Sequence, residues 1–213
     1  MTGNDPIFLN STTREPRPAR PLDGMVVAIL ATDGVEEVEL TEPRAALEGA
    51  GAQAVLVSLH DGEIQAMHRD VEPAGRFRVD KVVNDVSVAD FDGLLLPGGT
   101  TNPDKLRQNS HAVDFVRGCM HAQRPTGVIC HGPWTLVEAG VVSRRTLTSY
   151  PSVRTDIRNA GGIVVDGEVV VDGSLVSSRG PADLPQFCAK IVDVFADATR
   201  AMVGDARRSR PAQ

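Results

Sequence analysis

Short, continuous apolar runs recur along the chain, and each is followed by a turn and then by a longer amphipathic segment. The runs lie at 25–31, 54–59, 91–96 and 126–129. A strand that is covered on both faces of a sheet reads as an unbroken apolar run, and helical segments between such strands are typical of β-α-β crossovers. The pattern therefore predicts a doubly wound α/β sandwich with a mainly parallel central sheet.

The segments between the apolar runs indicate helices and two hairpins. The short alternating runs after residue 59 predict a hairpin insertion, and Asp166-Gly167 predicts a second hairpin turn. Ser110 is expected to cap the helix that follows it. The predicted helices span 36–49, 112–122, 131–139, 152–160 and 181–201.

Length and composition fit one globular domain. The chain has 213 residues, of which 41% are hydrophobic, enough for a single core. We expect the domain to span 25–202, between a flexible N-terminal extension at 1–24 and a flexible C-terminal tail at 203–213. Because the extension lacks an apolar signal segment and no 18-residue apolar window occurs, we expect a cytoplasmic protein with no membrane contact.

Charge and cysteine content exclude several functional classes. The net charge is −6, and the basic residues cluster only near the C-terminus, so we expect no nucleic-acid partner. The three cysteines, Cys119, Cys130 and Cys188, are odd in number and widely spaced. A disulfide framework and a zinc site are therefore not expected, and we predict neither a metal nor a cofactor.

Cys130 occupies the most informative position in the sequence. It ends the strand at 126–129 and is followed by His131, Gly132 and Pro133, where a helix is expected to begin. A residue between the end of a central strand and the next helix projects over the sheet edge, and a helix N-terminus favours a thiolate. Cys130 is therefore the candidate nucleophile, whereas the other two cysteines lie in helical patterns and are expected to be structural.

The order of the histidines limits the choice of a catalytic base. No histidine follows His131, which excludes the order of α/β-hydrolases and glutamine amidotransferases, in which the histidine lies far downstream of the nucleophile. The base is either His131 itself or one of the upstream histidines. The upstream histidines are His60, His68, His111 and His121.

Two further groups are expected at the same sheet edge. Gly98 and Gly99 end the strand at 91–96, and their backbone N–H groups, together with that of His131, are candidates for an oxyanion hole. A carboxyl group after the first strand is placed to donate a proton to the sulfur. The composition does not choose among Glu36, Glu37 and Glu39.

Several motifs, taken in order, resemble the PfpI branch of the DJ/ThiJ/PfpI superfamily. The resemblance extends from residue 25 to about residue 196. The members of this superfamily include cysteine peptidase-like proteins, glyoxalase and deglycase enzymes, and general stress proteins. The matching segments are DGVEEVEL at 33–40, LPGG at 96–99, PD at 103–104, ICHGP at 129–133, TSYP at 148–151 and SSRGPADL at 177–184.

The resemblance implies a flavodoxin-like three-layer sandwich of the class I glutamine amidotransferase-like type. It implies that Cys130 is the nucleophile, that His131 lies beside it, and that Glu36 is the carboxyl group touching the sulfur. It also implies that the amides of Gly99 and His131 form the oxyanion site. The pocket is expected to be lined by Tyr150, Gly98, Pro133 and Trp134.

The resemblance further implies a self-associating protein, either a homodimer or a hexamer. In the PfpI branch an acidic residue after the Pro-Gly-Gly turn reaches the histidine from a neighbouring subunit, and Asp104 occupies the similar position here. The stretch between Gly99 and Pro103 is one residue longer than in close relatives.

Three functions fit these residues. The first is a stress-protection enzyme that acts on 2-oxoaldehydes or their protein adducts, in which the thiolate attacks an aldehyde. The second is a cysteine peptidase in which Asp104 of a neighbouring subunit orients His131. The third is a redox-sensing, chaperone-like stress protein. The expected partner is accordingly a small aldehyde or a peptide substrate.

Overall fold

The computed structural model describes the backbone of residues 20–208 and the side chains of residues 20–200. In chain order the elements are β1 (Val26–Leu30), α1 (Glu37–Ala50), β2 (Gln53–Ser58), β3 (Glu63–His68), β4 (Glu72–Arg78), β5 (Lys81–Val82), β6 (Gly93–Leu96), α2 (Thr101–Arg107), α3 (Ser110–His121), β7 (Thr126–Ile129), α4 (Pro133–Glu138), β8 (Thr146–Leu147), α5 (Arg154–Asn159), β9 (Ile163–Val164), β10 (Val169–Asp172), β11 (Leu175–Ser178) and α6 (Leu184–Arg208).

A seven-stranded sheet forms the centre of the molecule, with the strand order β10-β11-β7-β6-β1-β2-β5. Every neighbouring pair in it is parallel except β10 and β11. The carboxyl ends of β1, β6 and β7 therefore lie side by side at one edge of the sheet. The segments that follow these strands contain the candidate nucleophile, the two glycines and the acidic cluster.

Two apolar clusters cover the two faces of the sheet. One cluster includes Leu40 and Leu47 of α1 together with Phe187 and Ile191 of α6. The other is formed largely by side chains of α3, α4 and α5, among them Phe115, Leu136 and Ile157. Helices on both sides of a mainly parallel sheet make a three-layer α/β sandwich of the flavodoxin-like type, which confirms the predicted fold class.

Two local predictions are wrong. Asp166-Gly167 does not form a hairpin turn, because β9 pairs in parallel with β8 and the hairpin is the one joining β10 to β11. The Asp166 carboxylate instead accepts hydrogen bonds from Arg154 and Arg179, which hold that segment as a loop. The cap of α3 is Asn109, whose side chain accepts from the Ala112 N–H, and Ser110 is the first residue of the helix.

The ordered fold extends past both predicted domain boundaries. Leu22 is fully buried in the core cluster on the α1 side, and its N–H donates to the carbonyl of Ala50. Residues 20–24 therefore pack with the domain instead of belonging to an extension. Helix α6 continues to Arg208, into the segment assigned to a tail. The remaining parts of the predicted extension and tail, 1–19 and 209–213, lie outside the described residues.

Within residues 20–208 no helix is long and apolar enough to cross a membrane. The same part of the chain contains no group of three histidine, cysteine, aspartate or glutamate side chains arranged to hold a metal ion.

Candidate active site

Cys130 lies at a strained turn between β7 and α4. Its φ is 59°, in the left-handed region that side chains other than glycine rarely adopt, and its N–H donates to the carbonyl of Ser178 at 3.1 Å. The turn leaves no room for a side chain two residues later, because a Cβ on Gly132 would lie 2.7 Å from the Leu96 carbonyl oxygen. The strain aims the cysteine side chain away from the sheet and into a cavity.

The cavity has a volume of about 230 Å³ and lies at the carboxyl edge of the sheet. Its lining brings together the predicted residues Cys130, His131, Gly99, Tyr150 and Glu36. Gly98, Pro133 and Trp134, which were expected in the lining, are absent from it, although the Trp134 ring lies 5.3 Å from the His131 ring. The lining residues are Glu36, Glu39, Arg69, Asp70, Gly99, Cys130, His131, Tyr150 and Pro181.

The carboxyl group beside the sulfur belongs to Glu39, which corrects the assignment of Glu36 to that contact. Glu39 is fully buried, interacts with the Cys130 thiol, and accepts a hydrogen bond from the Gly98 N–H at 2.9 Å. The packing is close, since a Cβ on Gly98 would lie 2.5 Å from Glu39 Oε2 and 2.6 Å from Cys130 Cβ. Gly98 thus supports the cavity wall from behind.

Helix geometry explains why Glu36, Glu37 and Glu39, which lie within four positions, point in different directions and make different contacts. Glu36 precedes α1 and faces the cavity, where its carboxylate lies 3.9 Å from the Nδ1 of His68. Glu37 turns away and accepts from the Gly75 N–H on β4. Glu39, three residues after Glu36, lies about one helical turn further and points under the sulfur. Only the rotation of α1 against the sheet decides among them.

Burial controls the protonation of the Glu39 and Cys130 pair. Burial raises the pKa of Glu39 to about 8, so the carboxyl is mostly protonated at neutral pH. Burial also raises the pKa of the Cys130 thiol, and a charge on Glu39 raises it further, whereas the N–H groups of Gly99 and His131 lower it. The helix N-terminus expected to lower the pKa of the thiol is therefore outweighed by burial. The thiolate forms most readily while Glu39 is protonated and donates to it.

His131 has partners at both ring nitrogens. Nδ1 lies 3.2 Å from the Cys130 sulfur, and Nε2 lies 3.1 Å from the hydroxyl oxygen of Ser152. The Tyr150 ring stacks on the imidazole with its centroid 4.5 Å away. Burial lowers the pKa of His131, so the neutral imidazole is favoured at neutral pH. The sequence did not single out Ser152, although it follows directly after the Thr-Ser-Tyr-Pro motif.

The tip of the β3–β4 hairpin closes one side of the cavity. Arg69 and Asp70 both have positive φ, 53° and 67°, and both line the cavity. The Asp70 carboxylate accepts from the N–H and the hydroxyl of Thr100, at 2.6 Å and 2.8 Å. These bonds tie the hairpin to the turn that carries Gly98 and Gly99, so two separate parts of the chain keep the cavity in shape.

Asp104 does not join the site within one chain. It lies in the first turn of α2, is exposed, and accepts a hydrogen bond from the Gln108 side chain in the same helix. The prediction that Asp104 reaches the histidine of a neighbouring subunit concerns an assembly, and it stays a prediction.

The other cysteines and histidines are not among the residues that line the cavity. Burial raises the pKa of Cys119 to about 12 and that of Cys188 to about 11. His60 is exposed and paired with Asp33. Among the described residues, His131 is the histidine that lines the cavity with Cys130.

The fold and this site define an α/β sandwich protein with a cysteine at a strained strand-to-helix turn beside a small cavity. The model of the DJ-1/PfpI family matches residues 25–194, so the chain belongs to the DJ-1/PfpI family.

The relatives are named for more than one activity. The chain is 38% identical to the putative cysteine protease YraA of Bacillus subtilis, over 76% of this chain and 92% of YraA. It is 39% identical to deglycase PfpI of Pyrococcus furiosus, over 80% of this chain and 99% of the deglycase. The crystal structure of Drosophila melanogaster DJ-1beta superimposes with a TM-score of 0.71 at 27% identity, covering 84% of this chain and 97% of the other. These names indicate enzymatic activity in the family and leave its type open.

Proposed function

We propose that this protein is a cysteine-dependent enzyme of the glyoxalase or deglycase type, acting on reactive 2-oxoaldehydes or their protein adducts. Cys130 is the proposed nucleophile and His131 the proton carrier. Glu39 is proposed to donate to the sulfur, and the amides of Gly99 and His131 to hold the developing oxyanion.

The environment of the Cys130 sulfur is the observation that carries this proposal. Cys130 is 6% exposed, and its sulfur lies in a cavity with the mostly protonated Glu39 carboxyl, the backbone N–H groups of Gly99 and His131, and an imidazole nitrogen at 3.2 Å. The cavity volume of about 230 Å³ lies below the range of about 300–1,000 Å³ of sites for drug-sized ligands. A small aldehyde suits this volume better than a folded polypeptide segment.

For methylglyoxal the overall reaction adds one water and yields lactate. The sulfur bonds to the aldehyde carbon as the C=O π bond breaks, and the thiol proton passes through Nδ1 of His131 to the new oxygen. Transfer of the C1 hydrogen to C2 as a proton converts the hemithioacetal to a thioester of the 2-hydroxy acid. Water then cleaves the thioester, which releases lactate and restores the thiol.

Glu36 is proposed to move the proton between the two substrate carbons. Its side chain lies in the cavity wall, and its carboxyl group lies 3.9 Å from Nδ1 of the exposed His68. Glu39 is less suited to this role, because it is fully buried beside the thiol and accepts a hydrogen bond from the Gly98 N–H. In this proposal Glu39 acts on the sulfur and Glu36 acts on the substrate.

Methylglyoxal turnover, read as D- or L-lactate formed, tests the proposal. We expect Cys130→Ser to lower lactate formation by at least about 10³-fold, because the hydroxyl is a far weaker nucleophile in this setting. Cys188→Ser is the matched control, since this cysteine lies in α6 outside the cavity, and it should retain wild-type activity. Equal lactate formation by the wild type and Cys130→Ser would reject the proposal.

A casein digestion assay run in parallel separates the alternatives. Cleavage by the wild type, without lactate, would assign the site to a cysteine peptidase, in line with the name of the Bacillus relative. That reaction would require Asp104 from a neighbouring subunit in a homodimer or hexamer. Inactivity in both assays would leave the redox-sensing, chaperone-like role.

A further inference from the structure

Ser152 is tied to the catalytic elbow by the backbone as well as by its side chain. The Tyr150 N–H donates to the carbonyl of Cys130 at 2.9 Å, and the Val153 N–H donates to the carbonyl of Tyr150. Ser152 lies within the single helical turn Pro151–Val153 that these bonds fix. Its hydroxyl oxygen is thereby held 3.1 Å from Nε2 of His131.

We infer that Ser152 is a positioning residue for His131, so that a hydrogen-bonded relay runs from Cys130 through His131 and ends at the Ser152 hydroxyl group. This Cys130–His131–Ser152 relay selects aldehyde over amide substrates. The part of the inference that concerns substrates rests on the proposed function. The part that concerns His131 rests only on the hydrogen-bond geometry.

A hydroxyl group serves either tautomer of a neutral imidazole. When the proton is on Nε2, Ser152 accepts it in a hydrogen bond and Nδ1 is free to take the thiol proton. When the proton is on Nδ1, the serine O–H donates to Nε2 and Nδ1–H faces the sulfur or the adduct oxygen. A carboxylate can only accept, so it would fix the proton on Nε2 and stabilise the imidazolium.

The ionisable groups around the imidazole agree with a neutral ring. Cys130 and Glu39 lie on the sulfur side, Glu36, Arg69 and Asp70 also line the cavity, and Tyr150 stacks on one face of the ring. Burial lowers the pKa of His131 despite the attraction of the Asp70 charge.

Aldehydes and amides make different demands on this histidine. Addition of a thiol to an aldehyde moves the thiol proton to the oxygen of the same adduct, so the S–C and O–H bonds form as the S–H and C=O π bonds break. No leaving group departs in this addition step, and a neutral imidazole that passes on one proton is sufficient for it. Cleavage of an amide must expel an amine, which requires an imidazolium to protonate it.

The relay also limits the proposed role of Asp104. Because Nδ1 faces the sulfur and Nε2 faces Ser152, an acid from a neighbouring subunit would have to displace the serine to orient the ring. The contacts within one chain therefore favour the hydroxyl as the partner of Nε2.

Substitutions at Ser152 test the inference through the pH profile of lactate formation and the titration of the His131 ring by ¹⁵N NMR. We expect Ser152→Ala to lower kcat about tenfold with KM within about twofold, and Ser152→Thr to restore it. Ser152→Asp should raise the pH at which His131 becomes protonated by about one unit or more and should also lower kcat. Ser143→Ala, an exposed serine outside the cavity lining, should behave as wild type.

An unchanged kcat and pH profile in Ser152→Ala, or full kcat in Ser152→Asp, would overturn the inference. The NMR titration distinguishes this failure from failure of the proposed function. If the wild type forms no lactate, the selection of aldehydes is overturned, yet the shift of the His131 titration in Ser152→Asp still decides whether Ser152 positions the ring.

Discussion

Protonation of Glu39 couples the stability of the fold to pH. Burial raises the pKa of this carboxyl in the folded protein to about 8, from an ordinary value of 4.5. The stability it contributes is therefore fully present below about pH 4.5 and is lost as the pH rises through about 8, by at most about 1.4 kcal/mol per pH unit.

Replacing Glu39 with glutamine should remove this dependence. We expect the free energy of unfolding of the wild type to fall relative to Glu39→Gln between pH 5 and pH 8, as measured by urea denaturation. Glu42 is an exposed glutamate of the same helix. The free energy of unfolding of Glu42→Gln should depend on pH in the same way as that of the wild type. Parallel curves for all three proteins would mean that the Glu39 carboxyl titrates at its ordinary pKa.

Single residues differ in how far the sequence reveals them. The position of Cys130 was predicted because a buried strand that runs into Cys-His-Gly-Pro is a local pattern. The residues alone did not distinguish Glu39 from Glu36, because the two differ in the direction that each faces at the start of α1. The choice of Glu36 from the family resemblance was wrong for the contact with the sulfur. Ser152 carried no signal at all, since its partner Nε2 is supplied by a residue 21 positions away.

At the scale of elements, the turn between β6 and α2 is the part of the backbone most closely packed against the site. A Cβ on Gly98 would meet Glu39 Oε2 at 2.5 Å, Cys130 Cβ at 2.6 Å and the His131 nitrogen at 2.9 Å. All three belong to the proposed machinery, so a side chain here forces the turn and the elbow apart.

Gly98→Ala should therefore reduce lactate formation by about 10²-fold or more and lower the free energy of unfolding by about 1–3 kcal/mol. Gly49→Ala is the control, because a Cβ at this helical position meets nothing within 4 Å. The control should leave activity unchanged and add between zero and about 1 kcal/mol of stability. Wild-type lactate formation by Gly98→Ala would show that the turn between β6 and α2 can accommodate a Cβ without displacing the residues of the site.

Elements with strong patterns were predicted, and those that depend on long-range pairing were not. The buried strands and the first hairpin follow from apolar periodicity. The strand at 163–164 instead pairs with β8 at 146–147, so its partner in the sheet could not be predicted from the adjacent sequence. Helix α1 continues through Pro43, which is buried, although proline lacks the N–H that a helix interior uses.

At the scale of the whole molecule, the segment before β1 belongs to the core. Leu22 is fully buried, and Arg20 donates to the carbonyl of Glu48 near the end of α1. Residues 20–24 therefore cover the end of one apolar layer, and their contribution is measurable as stability.

Leu22→Ala should lower the free energy of unfolding by about 2–5 kcal/mol, because it leaves a cavity in a packed core. Val71→Ala removes an apolar side chain that is 75% exposed and should change stability by less than about 0.5 kcal/mol. Thermal unfolding followed by circular dichroism gives both values. A loss below 1 kcal/mol for Leu22→Ala would place this segment outside the cooperative unit.

The sequence by itself determined the α/β sandwich, the elbow and its cysteine, because apolar runs, turn residues and the strand-to-helix junction are encoded within a few neighbouring positions. The tertiary structure alone decided which glutamate meets the sulfur, which hydroxyl meets the histidine and how the β3–β4 hairpin tip closes the cavity. Those contacts join segments distant in the chain, and they depend on the rotation and docking of whole elements, which no local pattern records.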